Sequence, residues 1–240
     1  MERRRVTGAR EGWWGQAFVR RHWQALLRLR ERLELSEEVL HLVMAGGVGF
    51  LGGIGNLLFH FASRWLKHLV LGGDGEWVAL AGALPWWQRL LWPAVGGVVA
   101  GLVLSWGGRF IGLPGTSNLL EAVVVGDGRL RLRTALLKGL SSLISICTGG
   151  SIGREGAVTH LSATLASKCG QWARWEPYRL RLLVACGAAA GISAAYNAPL
   201  AGAVFAAQIV LGNFSMGVFA PLVMASVVAA MVSRTFFGLG

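Results

Sequence analysis

Residues 182–212 read LLVACGAAAGISAAYNAPLAGAVFAAQIVLG, and this stretch decides the fold. It runs 31 residues without a formal charge. A helix needs about 20 apolar residues to cross a bilayer core, so the length exceeds one crossing. The stretch is not one uninterrupted helix. Tyr196-Asn197-Ala198-Pro199 is a break and a restart, with Pro199 suited to the first turn of a new helix and Asn197 to its cap. Gly187, Gly191 and Gly202 are small enough to let neighbouring backbones approach closely. A long apolar segment interrupted near its middle implies helices that end inside a membrane.

The rest of the chain agrees. Val39–Phe59, Leu90–Trp106 and Met216–Ser233 are also uncharged, and Thr134–Ile152 contains only Lys138. Of the 240 residues, 54% are hydrophobic and 15% charged, against about 25% charged in soluble domains. Four or more such stretches exclude a soluble bundle and predict a polytopic all-α membrane protein. The net charge of +11 lies outside the apolar text. Nine arginines precede residue 33, and Arg129, Arg131 and Arg133 follow in one short loop. Basic residues beside spans mark the cytoplasmic side, which places the N-terminus and the 126–133 loop in the cytoplasm of a cell whose inner membrane holds the chain. Trp65, Trp77, Trp86, Trp87, Trp92 and Trp106 sit at span ends, as an interfacial belt does. A nucleic-acid surface would instead interleave aromatic and basic residues on a soluble face.

The first 34 residues are too charged to hold a cleavable signal peptide. Residues 1–35 form a cytoplasmic or interfacial segment, within which Phe18–Leu35 reads as an amphipathic helix. Residues 36–240 form the transmembrane domain, opened by a helix from Ser36 to about residue 71 and a second span over about 85–106. Cys147, Cys169 and Cys186 form no CxxC and read as structural thiols; the sequence calls for neither metal nor cofactor.

From residue 107 glycine and proline break the apolar text repeatedly: at Gly107-Gly108, Gly112–Gly115, Gly126–Gly128, Gly149–Gly153 and Tyr196–Pro199. Non-helical backbone at membrane depth must be buried in protein or line a cavity. Broken helices are the material of ion sites, and their N-termini attract anions. Gly153-Arg154-Glu155-Gly156 is the sharpest motif. A glutamate opening an apolar helix is a functional candidate by default. Its carboxylate lies where a helix N-terminus would otherwise receive an anion, so it acts as a tethered competitor that a proton can neutralise. The structural alternative is a Glu155–Arg154 pair or a plain helix-start acid.

Gly153–Gly156, followed about 30 residues on by GAAAGISAAYNAPLAGAVF, resembles the N-terminal half of the chloride channel (CLC) family, whose members usually show GREGP and GAAAGxAAAFNAPLAG. The likeness covers residues 112–237 clearly and 36–106 in pattern. It implies broken and tilted transmembrane helices, the first repeat of an inverted-repeat architecture, and passive or gated transport of chloride or a similar anion, nitrate included, by a homodimer.

By the same resemblance Glu155 is the gate, and Gly153, Arg154, Gly156 and Ala157 supply the anion site. Ala157 stands where the family has proline. The family's GSGIPE loop falls on Leu113–Asn118. Pro114 takes the place of the anion-coordinating serine, a substitution associated with nitrate preference, and Gly115, Thr116 and Ser117 complete the loop. Gln208 and Ile209 occupy the positions of the inner proton-carrying glutamate, and neither holds a proton, which implies uncoupled transport. Gly217–Pro221 resembles the family's GxFxP anion motif, but that motif belongs to the second half. The family needs two halves to form a pore, and the chain reaches only what looks like the first.

Two readings compete. One is a transport-inactive half, a membrane scaffold or assembly partner. The other is an intramembrane serine hydrolase, since Gly149-Gly150-Ser151-Ile152-Gly153 satisfies G-x-S-x-G. That chemistry needs a histidine base, and no histidine follows His160.

Overall fold

Small residues dominate the centre of this protein, and they set how its helices stack. The computed structural model describes residues 37–71, 82, 85–111, 119–212 and 214–237. The segment read as an amphipathic helix (residues 18–35) lies outside them, as do Pro114, Gly115, Thr116 and Ser117. Among the described residues there are eight α-helices and one π-helical stretch: α1 (Glu37–Leu71), α2 (Trp86–Ile111), α3 (Leu119–Val124), α4 (Leu132–Cys147), α5 (Glu155–Trp172), α6 (Pro177–Tyr196), α7 (Pro199–Phe205), the π-helical turn Ala206–Leu211, and α8 (Met216–Phe237).

α6 is the central helix. Every residue from Leu182 to Gly191 is buried, as a helix lacking a polar face must be. α5 lies along one side of it, α1 and α8 along others. The approach is close because glycine leaves room. A β-carbon at Gly187 would come within 2.7 Å of Ala166 Cβ, and one at Gly191 within 2.8 Å of Thr159 Cα. Gly52 of α1 faces Ala190 in the same way, at 2.7 Å.

Polar side chains inside this core bond across helices. Asn56 of α1 is buried and donates through Nδ2 to the Ala194 carbonyl (3.0 Å) and to Ser233 Oγ of α8 (3.1 Å). Ser193 Oγ donates to the Ser226 carbonyl at 2.6 Å. A buried amide without partners would cost a few kcal/mol, so Asn56 ties α1, α6 and α8 together. The irregular link between α3 and α4 is held likewise. Ser167 Oγ donates to the Gly128 carbonyl and accepts from the Leu130 N–H, and Arg181 Nε donates to the Gly126 carbonyl.

Among the described residues, three helices have the length and hydropathy to cross a membrane: Val39–Leu69, Trp86–Phe110 and Met216–Phe236. The sequence suggests four or more. The stretches 134–152 and 182–212 make the difference: α4 stops at Cys147, and 182–212 is divided between α6, α7 and the π-helical turn. α5 buries Thr159, Ser162, Thr164 and Ser167, and α6 is rich in alanine and glycine; both are shielded by protein, so neither needs a lipid-facing surface. α2 is the opposite case, with only 11% of its apolar window buried. It also runs through Gly107-Gly108, where the sequence suggests a break, and reaches Ile111 rather than about 106. Gly107 provides contact room there: a β-carbon would meet Leu137 of α4.

Gly191→Val places two methyl groups against the α5 backbone. It is expected to lower stability by about 1–3 kcal/mol, seen as a drop in the thermal unfolding midpoint in detergent. An unchanged midpoint would show that α5 and α6 do not pack this closely.

Candidate functional site

α4 ends at Cys147 and the chain crosses to α5 on irregular backbone. Gly149 turns it with φ +97°, and the Gly150 N–H donates back to the Ser145 carbonyl at 2.8 Å. Ser151, Ile152, Gly153 and Arg154 are exposed. α5 then begins at Glu155 with no side chain capping it. The first N–H groups of a helix lack partners within it, and here the first bonded amide is Val158, to the Arg154 carbonyl at 3.1 Å. The amides of Glu155, Gly156 and Ala157 therefore form the positive end of the helix. Glu155 folds back toward that end: a β-carbon built on Gly153 would strike its Oε2 and lie 3.2 Å from its Cδ.

The second wall comes from the break after α6. Asn197 has φ 55° and ψ 36°, the left-handed conformation that stops a helix, and Pro199 begins α7 two residues later. Arg234 Nε of α8 donates to Asn197 Oδ1 at 2.6 Å. Gly202 sits 2.7 Å, at its potential β-carbon, from the Ala189 carbonyl, which folds α7 back on α6. The two motifs meet here. Arg154 Nη2 donates to the Ala195 carbonyl at 3.3 Å, and the Tyr196 hydroxyl lies beside the Glu155 carboxylate. Beside this contact is a cavity of about 310 Å³ bordered by Asn56, His60, Arg154, Tyr196, Asn197 and Arg234.

The structure thus joins Gly153, Arg154, Glu155, Gly156 and Ala157 to Asn197 and Pro199, while Gly187 and Gly191 act one layer deeper in helix packing. Gln208 and Ile209 are exposed on the π-helical turn and do not border the cavity. That turn is absent from a reading by motif. Gly217–Pro221 lies in the opening turns of α8, with Val218 and Pro221 buried. Tyr196 and Arg234 are contacts that sequence reasoning missed. Tyr196 was legible only as part of a helix break, and Arg234 as the charge that ends a span. Ser151 lies on loop backbone with no strand before it among the described residues, unlike the strand-to-helix elbow that hydrolase chemistry requires.

These features define a polytopic helical membrane protein with broken helices around an anion-compatible end. The family profile described as voltage gated chloride channel matches residues 95–240, and the chain belongs to that family, which is one of channels rather than enzymes. It is 44% identical over 203 residues to a ClcB-like protein of Ralstonia nicotianae, covering 83% of this chain and 47% of that one. It is 39% identical over 201 residues to the voltage-gated ClC-type chloride channel ClcB of Yersinia pseudotuberculosis, covering 82% and 48%. The crystal structure of a CLC-type fluoride/proton antiporter superposes with a TM-score of 0.65 at 24% identity, over 84% of this chain and 48% of that one. The chain spans about half the length of these relatives.

Asn197→Val forces a β-branched residue into a left-handed conformation, whereas Asn197→Gly suits it. The valine variant is expected to be at least about 1 kcal/mol less stable than the glycine variant, measured by thermal unfolding of both. Equal midpoints would count against the observed backbone at the break.

Proposed function

We propose that this chain supplies the gated part of a transmembrane pathway for chloride or a similar monovalent anion, with Glu155 as the gate. One observation carries the reading: the Glu155 carboxylate folds over Gly153 at the uncapped start of α5. A negative group there takes the position that favours an anion. It blocks the pathway while charged and seated, and opens it when an anion displaces it or a proton neutralises it. Tyr196, whose hydroxyl lies beside that carboxylate, steadies the seated position by donating to it.

Further assignments follow from the same reading. Gly153, Arg154, Gly156 and Ala157 present the anion's donors, and Pro114, Gly115, Thr116 and Ser117 complete the anion site, with Pro114 favouring nitrate. Gln208 and Ile209 leave the inner side without a proton carrier, so transport is uncoupled. Residues 1–35 lie on the cytoplasmic face of the inner membrane, residues 36–240 within it, and Arg129, Arg131 and Arg133, all exposed, face the cytoplasm. The pathway works as a homodimer in which a second half completes each pore.

The test is reconstitution in liposomes loaded with chloride or nitrate, with anion efflux and external pH followed together. Glu155→Gln keeps the shape and removes the charge. Efflux near neutral pH is expected to rise about tenfold, the equivalent of losing one charge-assisted bond of about 1.4 kcal/mol, with no stoichiometric proton movement in either protein. Efflux indifferent to the substitution would remove Glu155 from the gate; protons moved uphill would refute uncoupled transport. Tyr196→Phe is expected to raise efflux as well, by less than Glu155→Gln, in the same assay. A Tyr196→Phe rate equal to the parent's would show that this bond does not hold the gate.

A further inference from the structure

The cavity beside Tyr196 sets a second guanidinium, that of Arg234, beside Arg154, and the gate does not use Arg234. Arg154 and Arg234 both border it, and no aspartate or glutamate is among its described lining residues. The two guanidinium groups are anchored two residues apart, Arg154 to the Ala195 carbonyl and Arg234 to the Asn197 side chain. Each anchor uses one N–H of the five that a guanidinium carries. Both arginines are exposed, so a ligand reaches them from outside the helix core. Two like charges on one rim repel each other at a cost that an anion between them removes. Asn197, Tyr196 and His60 add an amide, a hydroxyl and an imidazole on the same wall.

The donors also indicate what kind of anion fits. Guanidinium forks match ligands with several oxygens and form paired bonds with them. A volume of about 310 Å³ sits at the lower end of small-molecule sites and is far larger than a single halide. We propose that this cavity is a binding site for a phosphate-class oxyanion, separate from the transported anion, and that its occupancy fixes Arg154 and Tyr196 and so holds Glu155 in its seated position. This regulatory step rests on the gate reading above; the binding step does not. Inorganic phosphate in solution and the phosphate of a lipid headgroup share the required chemistry.

The chain in nanodiscs of pure phosphatidylcholine is titrated calorimetrically with inorganic phosphate and, at matched ionic strength, with chloride. Saturable phosphate binding is expected, weakened at least tenfold by Arg234→Gln and kept by Glu155→Gln. Arg154→Gln gives the same loss and serves where Arg234→Gln aggregates. A second arm adds phosphatidic acid to the nanodiscs: a tenfold or greater loss of apparent phosphate affinity assigns the site to headgroups, and an unchanged affinity assigns it to free phosphate. Phosphate binding equal in the parent and both arginine variants, or no stronger than chloride, overturns the site. The gate reading fails on a different result, efflux insensitive to Glu155→Gln. If phosphate binds as expected but leaves efflux unchanged in a channel that Glu155→Gln does alter, the regulatory step is overturned and the binding site stands.

Discussion

The close approach of α5 and α6 is the constraint from which the other features follow. Gly187 and Gly191 bring the two backbones together near Ala166 and Thr159. Thr159 lies one turn beyond Glu155, and Tyr196 lies five residues beyond Gly191. Once Gly191 is seated on Thr159, the start of α5 and the end of α6 must lie side by side. That register puts Arg154 within reach of the Ala195 carbonyl and Tyr196 within reach of Glu155. A bulkier residue at Gly191 would move two functional ends apart, although neither touches it.

Around this pair the protein solves the problem of unsatisfied backbone inside a membrane. A helix that stops at depth leaves polar groups with no water to receive them. Here side chains from neighbouring helices take that role. Asn56 and Ser233 both donate to the Ala194 carbonyl near the end of α6, and Arg154 donates to the next one. Ser167, Gln171 and Arg181 serve the link before α4. The positive start of α5 is left without a cap. The starts of α4, α6 and α7 lack a side-chain cap as well; the start of α5 differs in having a carboxylate folded back beside it.

Much of this was legible in the sequence because breaks are written in residues with special backbones. Gly149, Asn197 and Pro199 marked the ends of α4 and α6 and the start of α7 correctly, since a positive φ or a missing N–H is a local property. Gly107-Gly108 misled for the same reason: glycine permits a break without requiring one, and contact with Leu137 decides. The apolar body of α1 from Val39 and the span of α8 followed from uncharged length alone. The count of spanning helices did not, because α4 stops at Cys147 and the stretch 182–212 is shared by several shorter elements. The roles of Asn56, Tyr196 and Arg234 stayed hidden, since each depends on partners 37 to 177 positions away. The π-helical turn carries no signature among Ala206–Leu211 that separates it from ordinary helix.

The seating of the Glu155 carboxylate over Gly153 has a consequence for substitution. Position 153 is the floor on which the carboxylate rests, so any side chain there and a glutamate at 155 claim the same volume. The two positions are therefore linked in what they tolerate. A side chain at 153 would leave the helices in place and displace only the flexible end of Glu155. Substitutions at 153 should therefore be felt first in where the acid rests and only secondarily in the fold.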